Sequence, residues 1–340
     1  MPPDQPPLRI LAVRFSSIGD ILLTTPLLRT LRHRHPAAEI VALTKRIYAP
    51  LLSDNPHLSR LLVLEPGASL AGLAATMRAG RFTHILDLHG NLRTAALRLL
   101  APGPWRGYSK HRLARAILIR TKRNTYADSL PVAERYFEAA AGLDVHPDGG
   151  PPELHLAPAA GSMADRWLLE KGLHPGEPLV ALAPGAAHAT KRWPAPEWAA
   201  LARQLSASGM RPVLVGGPGD VALASTIASQ SGIGIVNAAG AFDLQGTGAL
   251  IRRTQGLVSG DTGVMHMATA VGTPVVALFG PTVKEFGFLP YNGKSWVVQR
   301  DLDCRPCSAM GSERCPLGHH HCMRQITVEA VAGAFEGLIR

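Results

Sequence analysis

One stretch of the sequence decides the fold: Val258-Ser-Gly-Asp-Thr-Gly-Val-Met-His-Met-Ala-Thr-Ala-Val-Gly-Thr-Pro-Val-Val-Ala-Leu-Phe-Gly-Pro-Thr282. An apolar strand is predicted to end at about Ser259, and residues 260–263 form a tight turn whose glycines let the backbone approach a ligand. A helix then runs to about Val271, and residues 275–279 are a second apolar strand. The stretch is therefore predicted to be a βαβ unit.

The start of this helix, at Thr262 and Gly263, is predicted to bind an anion such as a diphosphate, because the first N–H groups of a helix have no intrahelical partners. Asp261 would repel phosphate, so it is better suited to accept hydrogen bonds from sugar hydroxyls. Together these residues indicate a nucleotide-sugar. His266 lies on the same helix between two methionines, a position more typical of a packed core residue than of a catalytic one.

The composition of the 340 residues is that of a globular protein with an anionic partner. Apolar residues make up 46% and charged residues 18%. A net charge of +10 favours nucleic acid, an anionic membrane surface or a phosphorylated glycan. Only 5% of residues are aromatic, and no basic segment interleaves with aromatic residues that would stack bases, so we expect no nucleic acid partner.

No targeting or membrane-spanning segment is predicted. Residues 1–7 lack the basic and apolar regions of a signal peptide and are predicted to be a disordered tail. No apolar run is long enough to span a bilayer. We therefore expect a cytoplasmic protein that contacts a membrane face only transiently.

Apolar strands that alternate with helical patterns predict an α/β protein with mainly parallel sheets. A segment rich in proline and glycine at residues 146–152 is the predicted linker. We expect two Rossmann-like domains, at residues 8–150 and 160–325, that face a central cleft, and a last helix at residues 326–340. Ligands in such sheets bind beyond the carboxyl ends of the strands. The predicted strands are 8–15, 40–43, 61–64, 85–88, 179–183, 212–215, 234–236, 257–259, 274–279 and 296–299.

Asp20 ends the loop Ser16-Ser-Ile-Gly-Asp20, which follows the first strand. The loop has neither the G-x-G-x-x-G spacing of a dinucleotide site nor a P-loop. A carboxylate beyond a parallel strand is an exposed catalytic position, but Asp is also a favoured helix cap, and the residues alone leave both open. Pro26 indicates either a helix that begins at Thr25 or a kinked one.

Two loops in the second half of the chain carry residues that are candidates for binding a nucleotide. Thr190 and Lys191 lie in a glycine-bearing loop before a helix, where they could hold a diphosphate and stabilise its charge as it leaves. Asp220 ends a glycine-rich loop and could bind ribose hydroxyls. The alternatives are a solvated loop with ordinary surface charge for the first and a plain turn for the second.

The sharpest concentration of charge lies between Trp105 and Arg123, where no residue is acidic. A charge run is usually a solvated face, but an unbalanced one suits an anionic ligand, and phosphate suits arginine especially. The basic residues of this segment are Arg106, Lys110, Arg112, Arg115, Arg120, Lys122 and Arg123.

Four cysteines are confined to residues 304–322 in the pattern C-x2-C-x7-C-x6-C. This pattern fits a structural zinc or an iron–sulfur cluster with no catalytic role. The alternative is four thiols without a metal. The candidate ligands are Cys304, Cys307, Cys315 and Cys322.

Four blocks of the sequence resemble glycosyltransferase family 9, the lipopolysaccharide heptosyltransferases. The blocks are Ser16-Ser-Ile-Gly-Asp-Ile-Leu-Leu-Thr-Thr-Pro26, Asp87-Leu-His-Gly-Asn-Leu-Arg93, Lys191-Arg-Trp-Pro194, and Asp261-Thr-Gly-Val-Met-His266 with Gly280-Pro-Thr282. The resemblance covers nearly the whole chain, and the order and spacing of the blocks are more specific than any one of them. The cysteine segment resembles that of heptosyltransferase II more than that of heptosyltransferase I.

The resemblance implies a GT-B fold and an inverting, metal-independent transfer of heptose from ADP-L-glycero-D-manno-heptose. The implied acceptor is the anionic lipid A-core of lipopolysaccharide, at the inner face of the inner membrane. No cofactor is implied for catalysis. The alternatives are a GT-B transferase with another nucleotide-sugar, a nucleotide-sugar epimerase, and a non-catalytic glycan- or nucleotide-binding protein.

The resemblance also implies roles for single residues. Asp20 matches the catalytic base and Lys191 the residue at the donor phosphates, whereas Asp220 matches the ribose-binding residue only loosely. The loop before Lys191 has Ala187-His-Ala189 where some relatives have hydroxyl residues. The expected donor-binding residues are Thr190, Lys191, Asp220, Asp261, Thr262, Gly263 and His266. The expected acceptor-binding residues are Asn91, Arg93, Arg112, Arg115 and Arg120.

Overall fold

The computed structural model describes residues 7–340, so the predicted tail, apart from Pro7, lies outside the described residues. The chain forms two compact units. Unit 1 consists of the residues up to Lys110 together with Val132–His155, and unit 2 consists of His111–Pro131 together with Leu156–Arg340. Residues 111–131 therefore belong to unit 2, which differs from the expectation of one continuous domain over residues 8–150.

The elements follow one another in α/β alternation. The strands are β1 (Arg9–Val13), β2 (Glu39–Lys45), β3 (Arg60–Leu64), β4 (His84–Asp87), β5 (Trp105–Gly107), β6 (Leu179–Ala183), β7 (Arg211–Leu214), β8 (Val236–Asn237), β9 (Gly256–Gly260), β10 (Val275–Phe279) and β11 (Ser295–Gln299). The helices are α1 (Ile18–Leu22), α2 (Thr25–Arg34), α3 (Leu70–Ala79), α4 (Leu92–Leu100), α5 (Arg112–Thr121), α6 (Val132–Arg135), α7 (Pro158–Glu170), α8 (Ala195–Ala207), α9 (Val221–Ser231), α10 (Leu244–Arg252), α11 (Gly263–Ala270), α12 (His321–Arg324) and α13 (Val328–Ile339).

Each unit contains one parallel sheet. The strand order is β3-β2-β1-β4-β5 in unit 1 and β11-β10-β9-β6-β7-β8 in unit 2. Parallel strands are covered on both faces and so consist of continuous apolar runs. Accordingly, every residue of β6, β9 and β10 is buried, and so is every residue of β1 except Arg9. Two parallel sheets whose strands alternate with helices confirm the predicted α/β class.

The structure adds one strand and settles one alternative. The edge strand β5 is three residues long and mostly exposed, so the sequence shows it only as part of a basic segment. The helix α2 begins at Thr25 with Pro26 in its first turn, where the missing N–H of proline costs no hydrogen bond. Residues 18–22 form the separate short helix α1.

Helix α8 shows how the apolar pattern of a helix builds the core of unit 2. Its residues Trp198, Leu201, Ala202 and Leu205 follow helical spacing, and all four are buried. The Trp198 ring meets the ring of Trp193 edge to face at 5.2 Å. Burial of each large apolar side chain stabilises the fold by roughly 1.5–3 kcal/mol.

The register of the sheets decides which loops meet. In unit 2, Ala183 at the end of β6 is opposite Ser259 of β9, and Gly260 is opposite Leu278 of β10. The loops that follow β6, β9 and β10 therefore leave the same edge. In unit 1, Val13 of β1 is opposite Asp87 of β4, so the loops after these two strands are neighbours.

No helix among residues 7–340 is both long enough and apolar enough to cross a membrane.

Candidate active site

In unit 1, the carboxylate of Asp20 is held from two sides. One oxygen, Oδ2, accepts hydrogen bonds from the Ser17 hydroxyl at 2.7 Å and from the Ser17 N–H at 3.3 Å. The other, Oδ1, lies 2.6 Å from Nη2 of Arg14. Ser17 is the N-cap of α1 and Asp20 is its third residue, so the two alternatives from the sequence coexist: Asp20 completes a capping box and also presents a carboxylate beyond β1.

Arg14 fixes this carboxylate, although it is not among the site residues predicted from the sequence. Its Nε donates to the carbonyl of Ser16 at 2.6 Å and its Nη1 to the carbonyl of Leu88 at 2.5 Å, so the guanidinium joins the loops after β1 and β4. Burial disfavours the charge, but Tyr136 and Asp20 outweigh it and raise the pKa of Arg14. The sequence feature that could have indicated a role for Arg14 is its place near the end of the largely apolar run of residues 8–15.

His89 lies beside this ion pair, in the loop after β4. Burial, together with the charges of Arg14 and Lys110, lowers the pKa of His89 to about 4. Lys110 donates a short hydrogen bond to the His89 carbonyl. The imidazole is therefore neutral at pH 7.

The predicted acceptor residues Asn91 and Arg93 are in unit 1. The Asn91 side chain accepts from the Thr94 N–H at 3.0 Å and so caps α4. The Arg93 guanidinium lies 5.6 Å from the centre of the Phe15 ring. Arg93 also lines an open pocket of about 420 Å³ with Lys45 and other residues. Arg93 therefore contributes to a basic surface, whereas the Asn91 carbonyl oxygen is engaged in a cap.

The other predicted acceptor residues, Arg112, Arg115 and Arg120, lie on α5 of unit 2. The Arg115 guanidinium packs 5.1 Å over the ring of Phe286, and Arg112 and Arg120 are exposed. Lys122 follows α5 and donates to the carbonyl of Pro306 at 2.6 Å. These contacts attach the segment to unit 2, so the basic run that is continuous in sequence is divided between the units.

In unit 2, Lys191, Asp261 and Thr282 come together at the carboxyl edge of the sheet. Nζ of Lys191 lies 2.6 Å from Oδ2 of Asp261, and the Thr282 hydroxyl donates to the same oxygen at 2.6 Å. The three residues follow β6, β9 and β10 respectively. Thr282 lies in one of the four blocks that resemble glycosyltransferase family 9, but it is not among the predicted site residues. The side chain of Asp261 is thus oriented by a cation and a hydroxyl.

The turn before α11 lies against the loop that carries Lys191. A Cβ on Gly260 would lie 3.1 Å from the carbonyl oxygen of Lys191, a tight contact that a larger residue could make only if one of the two loops shifted slightly. Thr262 is the N-cap of α11, and its side chain makes no capping hydrogen bond, so the first N–H groups from Gly263 onward have no cap from it. His266 is buried on this helix, as expected of a packed residue.

Thr190 is bound to the cysteine-rich segment. Its hydroxyl donates to the Ser312 carbonyl at 2.9 Å and accepts from the Ser312 N–H at 2.8 Å. The Thr190 carbonyl lies 2.9 Å from Nε2 of His320. The hydroxyl therefore anchors the loop that carries Lys191.

Asp220 closes its own turn. Its Oδ2 accepts from the Gly217 N–H at 2.9 Å, which favours the plain turn among the two alternatives. Its carboxylate also packs on Gly185, where an added Cβ would lie 2.1 Å from Oδ1. Asp220 therefore lies near the loop after β6.

The four cysteines form no disulfide and belong to the segment that contacts the Thr190 loop. Burial and the neighbouring thiols raise the pKa of Cys322 to about 11 and raise that of Cys307. Within the described part of the chain, no three of the four sulfur atoms lie within 4.8 Å of one another. The thiols are neighbours, but they do not form a closed set of metal ligands.

Comparisons with known proteins identify the family. The model of "Glycosyltransferase family 9 (heptosyltransferase)" matches residues 70–317. Lipopolysaccharide heptosyltransferase 2 of Salmonella typhimurium is 28% identical over 315 residues, which are 86% of this chain and 88% of that protein. Lipopolysaccharide heptosyltransferase 2 of Escherichia coli K12 is also 28% identical over 315 residues, with the same shares of each chain.

Solved structures of glycosyltransferase family 9 proteins are also similar to this protein. The structure of ADP-heptose lipopolysaccharide heptosyltransferase II of E. coli is 25% identical over 98% of this chain and 98% of its own, with a TM-score of 0.75. The glycosyltransferase family 9 structure from Veillonella parvula is 24% identical, covers 98% of this chain and 97% of its own, and has a TM-score of 0.81. These likenesses confirm the predicted GT-B fold. The family match covers well over half of the chain, so this protein belongs to glycosyltransferase family 9, the heptosyltransferases.

Proposed function

We propose that this protein transfers heptose from ADP-L-glycero-D-manno-heptose to the inner core of lipopolysaccharide, a proposal supported by its similarity to proteins named lipopolysaccharide heptosyltransferase 2. The observation that carries the proposal is the pair of carboxylates, Asp20 and Asp261, each held at the carboxyl edge of its own sheet by a cation and a hydroxyl. A base and a sugar-holding group both need such fixed orientation.

In the proposed step, Asp20 accepts the proton of the attacking acceptor hydroxyl. The new bond forms between that oxygen and the anomeric carbon of heptose, while the bond from this carbon to the diphosphate breaks and ADP leaves with the electron pair. Attack opposite the leaving group inverts the anomeric centre. The nearby positive charge of Arg14 favours the ionised form of Asp20, which is the form that can accept a proton.

Unit 2 is the proposed donor unit. The diphosphate binds the start of α11 at Thr262 and Gly263, and Lys191 stabilises the charge that develops on ADP. Because Lys191 pairs with Asp261, the diphosphate competes with this carboxylate for the ammonium group. Asp261 then holds heptose hydroxyls, and Asp220 lies close enough to the loop after β6 to contribute to ribose binding.

The charge distribution supports an anionic acceptor and peripheral membrane contact at the cytoplasmic face. Arg93 in unit 1, and Arg112 and Arg120 in unit 2, are the proposed contacts for acidic sugars and phosphates. On the same helices, Leu92 is 90% exposed and Leu113 is 75% exposed. Apolar side chains beside arginines suit the boundary between lipid headgroups and acyl chains.

We propose that no metal takes part in the transfer, because Lys191 and the start of α11 supply positive charge at the diphosphate. The cysteine segment has a structural role, since it anchors Thr190 and, through the Cys307 N–H, contacts the Pro281 carbonyl at 3.3 Å. A zinc ion or iron–sulfur cluster at the four cysteines would reinforce this segment after the sulfur atoms approach one another.

A turnover assay tests the proposal. ADP-heptose is offered with two lipid A-core acceptors, one that lacks all heptose and one that carries the first heptose, and UDP- and GDP-sugars serve as control donors. We expect turnover with ADP-heptose on the core with one heptose, unchanged by a chelator, and an inverted anomeric linkage by NMR. Turnover with a UDP- or GDP-sugar alone, or a retained linkage, would contradict the proposal.

A further inference from the structure

A cluster of two histidines and one glutamate lies in unit 1, away from the residues discussed above. Among residues 7–340, His57, Glu153 and His155 are the group of three potential metal ligands whose donor atoms all lie within 4.8 Å of one another. Nε2 of His57 lies 3.1 Å from Oε2 of Glu153, and Nε2 of His155 lies 3.3 Å from the same oxygen. All three side chains are only partly exposed.

These distances match the spacing of ligands around a metal ion. Bonds of 2.0–2.1 Å in tetrahedral geometry place ligand atoms roughly 3.3–3.4 Å apart. Two imidazole nitrogens and one carboxylate oxygen form a known zinc ligand set, with a fourth position for water. The His57 and His155 ring centres are 5.9 Å apart with planes at 76°, so the rings approach Glu153 from different directions without stacking.

The backbone already holds the three ligands in place. Glu153 and His155 are two residues apart in a segment without helix or strand, and the 3.3 Å contact between their side chains places both on the same side of the chain. The Glu153 N–H donates to the Thr25 hydroxyl at 2.8 Å, and the His57 N–H donates to Asn55 Oδ1 at 2.9 Å. Most of the conformational entropy of the ligand residues is therefore lost on folding, so metal binding would cost little more.

The charged side chains around the cluster are also compatible with a bound cation. Arg29 lies 2.8 Å from Oε1 of Glu153, on the side away from the histidines. The same guanidinium makes two hydrogen bonds of 2.7 Å to Asp148. One arginine is thus shared by two carboxylates, which leaves a net negative charge that faces the two imidazoles.

We propose that His57, Glu153 and His155 bind a divalent transition metal, with zinc as the ion best suited to the ligand set. His57 precedes β3, at the edge of the sheet opposite to the one that carries Asp20. The site is therefore structural. It fastens residues 153–155, the last of unit 1, to the core of this unit before the chain enters unit 2.

Zinc binding to the full-length protein tests this proposal. The wild type and the variants His57→Gln, His155→Gln and His146→Gln are stripped with a chelator and dialysed against Zn²⁺, and bound zinc per chain is measured. His146 is the matched control, since its side chain is 85% exposed and lies outside the cluster. We expect the wild type and His146→Gln to bind one zinc more than the other two variants. Zinc held by the cysteines cancels in this comparison.

The affinity and the thermal stability give independent readouts. Because loss of a residue that merely supports a ligand weakens metal binding about 10–100-fold, loss of a ligand is expected to weaken it at least about 100-fold. Zinc should raise the Tm of the wild type and of His146→Gln, but not that of His155→Gln. Co²⁺ in place of zinc should give a tetrahedral visible spectrum that weakens in both ligand variants.

Two results would overturn the proposal. One is an equal zinc content in all four proteins. The other is a loss of zinc in His57→Gln that His155→Gln does not reproduce, because such a loss would reflect a local folding defect rather than a missing ligand. The Tm of each metal-free variant, measured beside the wild type, identifies such a defect directly.

Discussion

The substitution Asp20→Asn separates the two roles that the structure gives to this residue. Asn keeps an oxygen that can accept from Ser17, so the cap of α1 is retained. It removes the negative charge beside Arg14, whose side chain is only 11% exposed. It also removes the group that we propose as the base. The variant is therefore expected to lose both stability and turnover, and each loss has its own magnitude.

The stability loss follows from the buried charge of Arg14. Removal of one partner of a buried ion pair costs about 3–5 kcal/mol. Arg14 keeps two carbonyl acceptors, Ser16 and Leu88, so we expect the low end, about 3 kcal/mol. The turnover loss is expected to be about 10²–10⁴-fold, the range for a general base. Urea unfolding measures the first loss, and kcat at saturating ADP-heptose and acceptor measures the second.

Asp148→Asn is the matched control. Asp148 pairs with Arg29, which is as buried as Arg14 and also keeps other acceptors, among them the carbonyl of Pro151 at 3.0 Å. Arg29 also keeps its ion pair with Glu153 at 2.8 Å, so this variant should lose less stability than Asp20→Asn and keep kcat within about twofold. If Asp20→Asn, assayed at a temperature where it is fully folded, loses no more kcat than Asp148→Asn, the reasoning that makes Asp20 a base is refuted.

Three further predictions concern other contacts. Lys191→Ala should reduce kcat about 10²–10³-fold in the same assay, because one charged donor at the leaving group is lost. Lys171→Ala is the control. Equal kcat values for the two variants would contradict the proposed role of Lys191 in donor binding. Thr282→Val should lower the free energy of unfolding in urea by about 1–3 kcal/mol, because the buried carboxylate of Asp261 loses a donor; an unchanged midpoint would contradict this. His89 has a folded pKa of about 4, below its unfolded value, so its neutral form stabilises the fold fully above about pH 6.5, and this contribution is lost as the pH falls towards 4. His89→Gln should therefore flatten the dependence of Tm on pH in this window, and an unchanged slope would exclude His89 as its source.

Much of the fold and part of the site follow from local sequence patterns. Among the described residues, the apolar runs predict ten of the eleven strands, because short apolar runs bounded by turn residues are typical of strands in a parallel sheet. The loops that carry Asp20, Lys191 and Asp261 were placed after strands for the same reason, and these loops do leave the carboxyl edges of the sheets. Strand β5 was missed because an exposed edge strand of three residues has no such pattern.

The contacts between these loops could not be derived from the sequence. From the sequence, Lys191 is predicted to bind phosphate and Asp261 to bind sugar hydroxyls. In the structure the two side chains form an ion pair, with Nζ of Lys191 2.6 Å from Oδ2 of Asp261. This pairing depends on β6 and β9 being neighbours, although two strands intervene in the chain. Thr190 was predicted as a donor ligand from its neighbours in sequence, but Ser312, 122 positions away, engages its hydroxyl.

The sequence by itself thus determined the α/β class, the family and the loops where chemistry is to be expected, because apolar periodicity, turn residues and motif spacing are local properties of a chain. Only the tertiary structure decided that Arg14 holds Asp20, that α5 belongs to unit 2, and that His57 meets Glu153 across 96 positions. The physical reason is that ion pairs and metal ligands depend on distances through space, and strand order, which sets those distances, is not encoded in any single segment.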